Sequence, residues 1–454
     1  MASTRPAWRV NVAELLLDDL LPAGGDRSAI RFPGGEWTLE ELALRVGGLA
    51  GDLRDRGVSV GDRVALVLPD APSWVVAFLA LMRVGAVAAL VPGNLPRDRL
   101  ADAVDRARPV LVISNDPGLS TRTPAFCPHD PSVGHGRDPG PAATRGTDPA
   151  YLLLTSGSTG PPKWAIHRYG DIPSCLATYG RHVLRLRPGD VTYSSATLAA
   201  SYGLGNSLYF PIGAGACAWI DGHRPSPAQA AAACVEGGVT AMFGVPTFWA
   251  RLARHVADGR AIREAFAGVR LAVSAGEPLP EAVFDAVRRH LGMELVDGLG
   301  SSEATNLYLS NRPGGAIRGS VGHVVPGFEV QVCDSDDRRV ASGEVGQLLV
   351  RGGSVMAGYL GDKRESASTL AGGWLHTGDL VQRRGDGAYL FVGRIGDLFK
   401  SMAWFAASRL AAHEVPRAFA IVSELPTATS GKIRRDEAAR LAADALTRVP
   451  TVVA

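Results

Sequence analysis

Residues 151–163 read YLLLTSGSTGPPK. An apolar run suited to a buried strand passes without a break into hydroxyls and glycines, then two prolines and one lysine. Glycines uncover backbone N–H groups, Ser and Thr add hydroxyl donors and Lys adds a positive charge, so the pattern suits a clamp for a polyphosphate. It is not a Walker loop, in which Gly directly precedes the Lys and Ser or Thr follows it. Here Pro162 precedes Lys163 and Trp164 follows. A plain Gly/Ser turn is the bland alternative, and the length of the run with its Pro-Pro-Lys ending argues against it.

Upstream, between residues 37 and 114, amphipathic helix-like runs alternate with the short apolar runs RVALVLP, AVAALVP and PVLVIS. Strand and helix in alternation predict a parallel sheet with crossover helices. The most apolar stretch, VVAFLALMRVGAVAALV at residues 75–91, contains Arg83 and Gly85 and is too short for a clean membrane span. A buried helix followed by a strand fits it better. Residues 115–148 show almost no apolar periodicity and are expected to form a long surface connection. Alternation resumes to about residue 300. From about 320 to 393 the pattern predicts a small β-rich subdomain, and a short α+β piece follows.

The 454 residues carry 47 Lys and Arg against 45 Asp and Glu, a net charge of +2. Without a basic excess there is no reason to expect nucleic acid or a membrane surface as partner, and a small molecule is expected instead. The five cysteines are scattered and never form CxxC, so neither a disulfide framework nor a zinc site is suggested. The N-terminal segment is too charged for a signal sequence, and a reducing cytoplasm is the expected compartment. Nothing in the sequence marks an oligomer surface; a homodimer is one option.

Four further segments bear on the chemistry. They are SAGEPLP at 274–280, DGLGSSE at 297–303, WLHTGD at 374–379 with Gly393 and Arg394 after it, and PTATSGKIRR at 426–435. In order and spacing these, with the Ser/Thr/Gly loop, resemble the adenylate-forming superfamily: acyl- and aryl-CoA synthetases, peptide-synthetase adenylation domains and luciferases. The resemblance implies an α/β adenylate-forming fold. Residues 1–393 would form an AMP-binding body of two α/β sheets plus the β-rich subdomain, and residues 394–454 an α+β lid. It further implies ATP and Mg²⁺ as cofactors, with CoA or a carrier pantetheine, and hence a carrier protein, as an open option.

By the same resemblance Thr155, Ser156, Gly157, Ser158, Thr159, Gly160 and Lys163 would hold the β- and γ-phosphates. Gly276, Glu277, Pro278, Asp297, Gly298, Leu299, Gly300 and Ser301 would line the adenine and ribose. Asp379 would take the ribose hydroxyls, with Arg394 beside it. Ser302 would stand near the α-phosphate and Glu303 would offer a carboxylate to Mg²⁺, a hard cation that favours one or two carboxylates plus phosphate oxygens. Lys432 would reach the carboxylate and α-phosphate from the lid, supplying positive charge where in-line attack gathers negative charge.

The middle of the chain looks most like the benzoate-CoA ligase branch. Tyr202, Gly203, Phe243, Gly298, Gly300 and Leu307 are expected to form a flat slot for the ring of an aromatic, benzoate- or cinnamate-like acid. The lid departs from the family. After residue 400 the chain runs almost at once into what looks like the late part of the lid, so most of a half-domain is expected to be missing. Gly396 and Ala403 stand where the family has a hinge Asp and a loop Gly. The thioester-forming pose of such a hinged lid is thereby called into question. Two other readings follow. One is a diazotase-type enzyme that activates nitrite as nitrosyl-AMP for attack by an aromatic amine. The other is a catalytically impaired nucleotide-binding homologue.

Overall fold

The apolar run opens a hairpin. Pro149–Thr155 and Lys163–Arg168 pair antiparallel, with Tyr151 opposite His167 and Thr155 opposite Lys163. Tyr151, Leu152 and Leu153 are buried although their side chains alternate between faces, which is how a strand covered on both sides reads. The computed structural model describes residues 8–119, 123–126, 134–155, 162–222, 225–259, 263–396 and 440. In it Pro149–Thr155 lies parallel to Val87–Leu90, which continues through Arg63–Val67 and Leu111–Ser114 to Ala125–Phe126. Gly358–Tyr359 closes the other edge against Lys163–Arg168, making seven strands.

The apolar stretch at 75–91 divides as expected into the helix Pro72–Val84 and the strand Val87–Leu90. Gly85, at φ +80°, makes the left-handed residue that ends the helix. The one charge within it, Arg83, is buried and reaches Asp18 at 3.0 Å and Asp138 at 2.7 Å. The preceding helix, Leu39–Asp55, begins on a reciprocal cap: Glu41 N donates to Thr38 Oγ1 and Thr38 N donates to Glu41 Oε2.

Asp138 belongs to the segment expected to form a long surface connection, and its residues 134–138 stay at the surface but pack on a helix. Residues 134–138 cross Leu39–Asp55 at Gly47, Gly48 and Gly51, where a Cβ on Gly47 would lie 2.9 Å from Asp138 Cγ and one on Gly51 2.5 Å from Arg137 O. Ala125–Phe126 adds an edge strand. Contact made through glycines and polar side chains leaves no apolar period to read.

A second sheet has nine strands. Cys217–Trp219, Val191–Ser194, Ala241–Gly244, Leu271–Ser274 and Leu295–Gly300 are parallel neighbours in that order. Leu307–Ser310 and His323–Val324 extend one side antiparallel, and Ser28–Phe32 with Gly35–Thr38 extends the other. The largest core cluster draws Leu66, Leu90 and Tyr151 from the first sheet and Phe243, Val273 and Val296 from the second. The helices Pro246–Ala257 and Glu281–Leu291 cover a second cluster on the far face of the nine-stranded sheet. Four antiparallel strands from Phe328 to Arg394 make a third sheet. Thr155, Ser194, Gly244 and Ser274 all stand at the carboxyl ends of parallel strands, where α/β sheets place ligands.

Candidate active site

Leu295–Gly300 and Leu307–Ser310 form a tight antiparallel pair, with Gly300 opposite Leu307 and Gly298 opposite Ser310. A Cβ at Gly300 would fall 2.5 Å from Asn306 O and one at Gly298 2.8 Å from Leu309 O, so both positions need glycine for close approach. Ser302–Ala304 turns between these strands, followed by Thr305 at φ +65°. Its three successive carbonyls are each held from outside. His167 Nε2 lies 2.7 Å from Ser302 O, Met356 N donates to Glu303 O at 2.7 Å, and Ser354 Oγ donates to Ala304 O at 2.9 Å.

The Glu303 side chain accepts a hydrogen bond from Tyr359 Oη at 2.9 Å. Burial, then the neighbouring Glu303 charge, pushes the Tyr359 phenol well up, so it stays a donor at neutral pH. The Lys163 ammonium stands 5.2 Å from the centre of the same ring and pairs with Glu365. Thr155 is buried at the strand end and its Oγ1 accepts from Lys163 N at 3.4 Å. Lys163 and Glu303 are thus brought around Tyr359, with Thr155 tied to the Lys163 backbone. Ser156, Gly157, Ser158, Thr159 and Gly160, and Lys432, lie outside the described residues.

Asp379 stands opposite Arg394 across two strands of the third sheet and is fully buried. Arg394 Nε donates to its Oδ1 at 2.9 Å and Tyr308 Oη to its Oδ2 at 3.1 Å. Burial pushes the carboxyl up, with Arg394 only partly opposing it. Each oxygen keeps a second lone pair, yet in this conformation Asp379 is covered.

Asp297 lies beside Ser274 in neighbouring strands. Asp297 Oδ1, Ser274 Oγ and Ser301 Oγ are buried with no hydrogen-bond partner. Burial pushes the Asp297 carboxyl up to about 8. Gly276 adopts φ +91°, and Glu277 turns back to bond Thr247 N and Oγ1, both at 3.2 Å, at the start of Pro246–Ala257. Pro278 and Leu299 lie in the same two segments, Leu299 packing on the main core.

Of the residues expected for the ring slot, Tyr202 and Phe243 meet edge to face at 6.3 Å, and Tyr202 Oη donates to Val273 O at 3.3 Å. Phe243 and Leu307 are buried in the main core, and Tyr202 packs against it. Gly203 has the carbonyl of Thr197 where a side chain would go. Tyr202 lies one turn before the π-helical segment Gly205–Tyr209, an irregularity often found at functional sites.

The AMP-binding enzyme family profile matches residues 21–360. The chain belongs to this family. Among curated relatives of this AMP-binding enzyme, the anthranilate–CoA ligase of Pseudomonas aeruginosa is 36% identical over 359 residues, 75% of this chain and 68% of that one. The benzoate–CoA ligase of Thauera aromatica is 31% identical over 456 aligned positions, 93% and 85% of the two chains. Among solved structures, an anthranilate CoA ligase in complex with anthranoyl-AMP superimposes with a TM-score of 0.79 at 25% identity, covering 98% of this chain and 100% of that one. The two large α/β sheets and the antiparallel third sheet agree with the fold expected from the sequence.

Among the described residues of this AMP-binding enzyme no three His, Cys, Asp or Glu side chains gather to cage a metal. Glu303, bonded to Tyr359, and Glu365, already paired with Lys163, are the carboxylates here, a donor set that fits a cation carried in by a nucleotide better than one caged by the protein. Four cysteines are buried free thiols, and burial pushes Cys175 and Cys234 up to about 12, so they are unreactive. No helix among the described residues is long and apolar enough to cross a membrane. Sequence reasoning missed His167, Asp171, Thr305, Tyr308 and Tyr359. A histidine directly after the apolar run WAI in the strand KWAIHR was the one available signal.

Proposed function

We propose that this enzyme uses ATP to activate an aromatic carboxylic acid as an acyl-AMP, releasing pyrophosphate, and then passes the acyl group to a nucleophile, by default the thiol of CoA. The observation that carries this reading is the convergence of Lys163, Glu303 and Tyr359 at the strand ends, with Tyr202 and Phe243 on the same core. The relatives' names, which specify anthranilate and benzoate, support the aromatic class.

In the first step a carboxylate oxygen attacks the α-phosphorus, forming an O–P bond, and the bond to the β-phosphate oxygen breaks. The protein's part is positioning and charge. Lys163 and the 156–160 loop hold the outer phosphates. The adenine amine meets Asp297 Oδ1, and Asp379 accepts the ribose hydroxyls once uncovered. Ser302 borders the α-phosphate. Glu303 would hold Mg²⁺, which would supply positive charge to the phosphates. Lys432 approaches from a lid formed by residues 394–454, the body being residues 1–393. In the second step a thiol sulfur bonds the acyl carbon, its proton leaves to solvent and AMP departs.

Acid-dependent exchange of labelled pyrophosphate into ATP tests the first step. Exchange with benzoate, hydroxybenzoates or anthranilate is expected. Adding CoA or hydroxylamine separately then identifies the acceptor. A chain that binds ATP but supports no exchange with any carboxylic acid contradicts the proposal.

A further inference from the structure

We propose that His167 is a positioning residue for nucleotide activation: its imidazole ties the hairpin that carries Lys163 to the turn that carries Ser302 and Glu303. The inference rests on the reading of those residues given above. His167 is fully buried on Lys163–Arg168, on the same face of the strand as Lys163. A carbonyl only accepts, so the 2.7 Å contact to Ser302 O requires a proton on Nε2. The other ring nitrogen is fixed as firmly. Nδ1 lies 2.7 Å from Thr305 Oγ1 and 3.0 Å from Asp171 Oδ2.

Asp171 is itself buried and accepts from Arg168 N at 3.1 Å and Arg168 Nε at 3.2 Å. The Tyr151 ring stacks on the imidazole at 5.0 Å and 16°, while its hydroxyl lies 3.1 Å from Thr305 Oγ1. Ring plane and both nitrogens are therefore held by neighbours on both sides of the turn.

The three carbonyl contacts divide the labour. Met356 and Ser354 hold Glu303 and Ala304 from a single segment. His167 alone of these three donors comes from the hairpin of Lys163. It therefore fixes the spacing between the charge on the outer phosphates and the groups at the α-phosphate. A misplacement of about 1 Å at such a site lowers rate by about 100-fold.

Two substitutions separate this role from simple packing. His167→Gln carries an amide nitrogen out to where Nε2 lies. His167→Asn places it near Nδ1, short of Ser302 O. ATP affinity is measured by calorimetry without any acid, and exchange kinetics with the best aryl acid, alongside melting temperatures. The Gln variant is expected to bind ATP within about threefold of the parent. The Asn variant is expected to bind about 10-fold more weakly and to lose about 100-fold in kcat, with KM for the aryl acid within about twofold. Equal losses in both variants, loss of ATP binding in a folded Gln variant, or KM for the acid rising with the fall in kcat overturn the proposal. If the parent exchanges with no acid, aryl activation fails, while the order of ATP affinities still decides the role of His167.

Discussion

Replacing Asp297 by Asn removes a buried carboxyl that burial holds at about 8 against an ordinary 3.8. The folded chain keeps this proton where the unfolded chain has released it. Stability is therefore full below about pH 4 and falls as pH rises toward 8, above which the loss is complete. At about 1.4 kcal/mol per pH unit the span corresponds to on the order of 5 kcal/mol, an upper bound because neighbouring dipoles relax around the ionised form. Asn has no charge to desolvate, so Asp297→Asn is expected to melt well above the parent at pH 8.5 and to lead it by only about 1.5 kcal/mol at pH 5. At about 2 °C per kcal/mol for a body of this size the gap at high pH is several degrees. Thermal unfolding of both proteins from pH 5 to 9 measures it. ATP supplies a second check: an amine donor against Asp297 Oδ1 favours the ionised form, so saturating ATP shrinks the gap at pH 8.5. Parallel melting curves for parent and variant across the range refute the reasoning.

Tyr359→Phe removes the hydroxyl donated to Glu303 and is expected to lower pyrophosphate-exchange kcat about 10-fold, the worth of one hydrogen bond to a charged group, with little change in melting. Arg394→Met leaves the buried Asp379 without its cation and is expected to cost about 3 kcal/mol in denaturant unfolding. Gly300→Ala sets a methyl 2.5 Å from Asn306 O and is expected to cost at least about 2 kcal/mol and to abolish exchange, because the strands flanking Ser302 must part.

What the sequence disclosed followed from regular period or from chemistry concentrated in one run. YLLLT passing into Ser, Gly and Lys marked a buried strand running into a loop, and residues 75–91 read as a buried helix followed by a strand. Asp379 and Arg394 were expected beside each other from the family resemblance, and they do meet. The partners that hold these residues were not legible. His167 and Tyr308 lie in strands whose apolar neighbours give no sign that one ring will reach a turn 135 residues away and the other a carboxylate 71 residues away. The packing of residues 134–138 within the expected surface connection was not legible because it uses glycines of a helix and an ion pair with Arg83, neither of which leaves a hydrophobic period. Local pattern reports which backbone forms, whereas long-range polar contacts depend on where the sheets bring it.

The central claim is adenylation of an aromatic acid, and labelled pyrophosphate exchange over a panel of benzoate, hydroxybenzoates, anthranilate, cinnamate and short aliphatic acids tests it most directly. The account predicts exchange with at least one aromatic acid, well above that with any aliphatic acid, and its loss in Lys163→Ala. Tight ATP binding without exchange for every acid contradicts it.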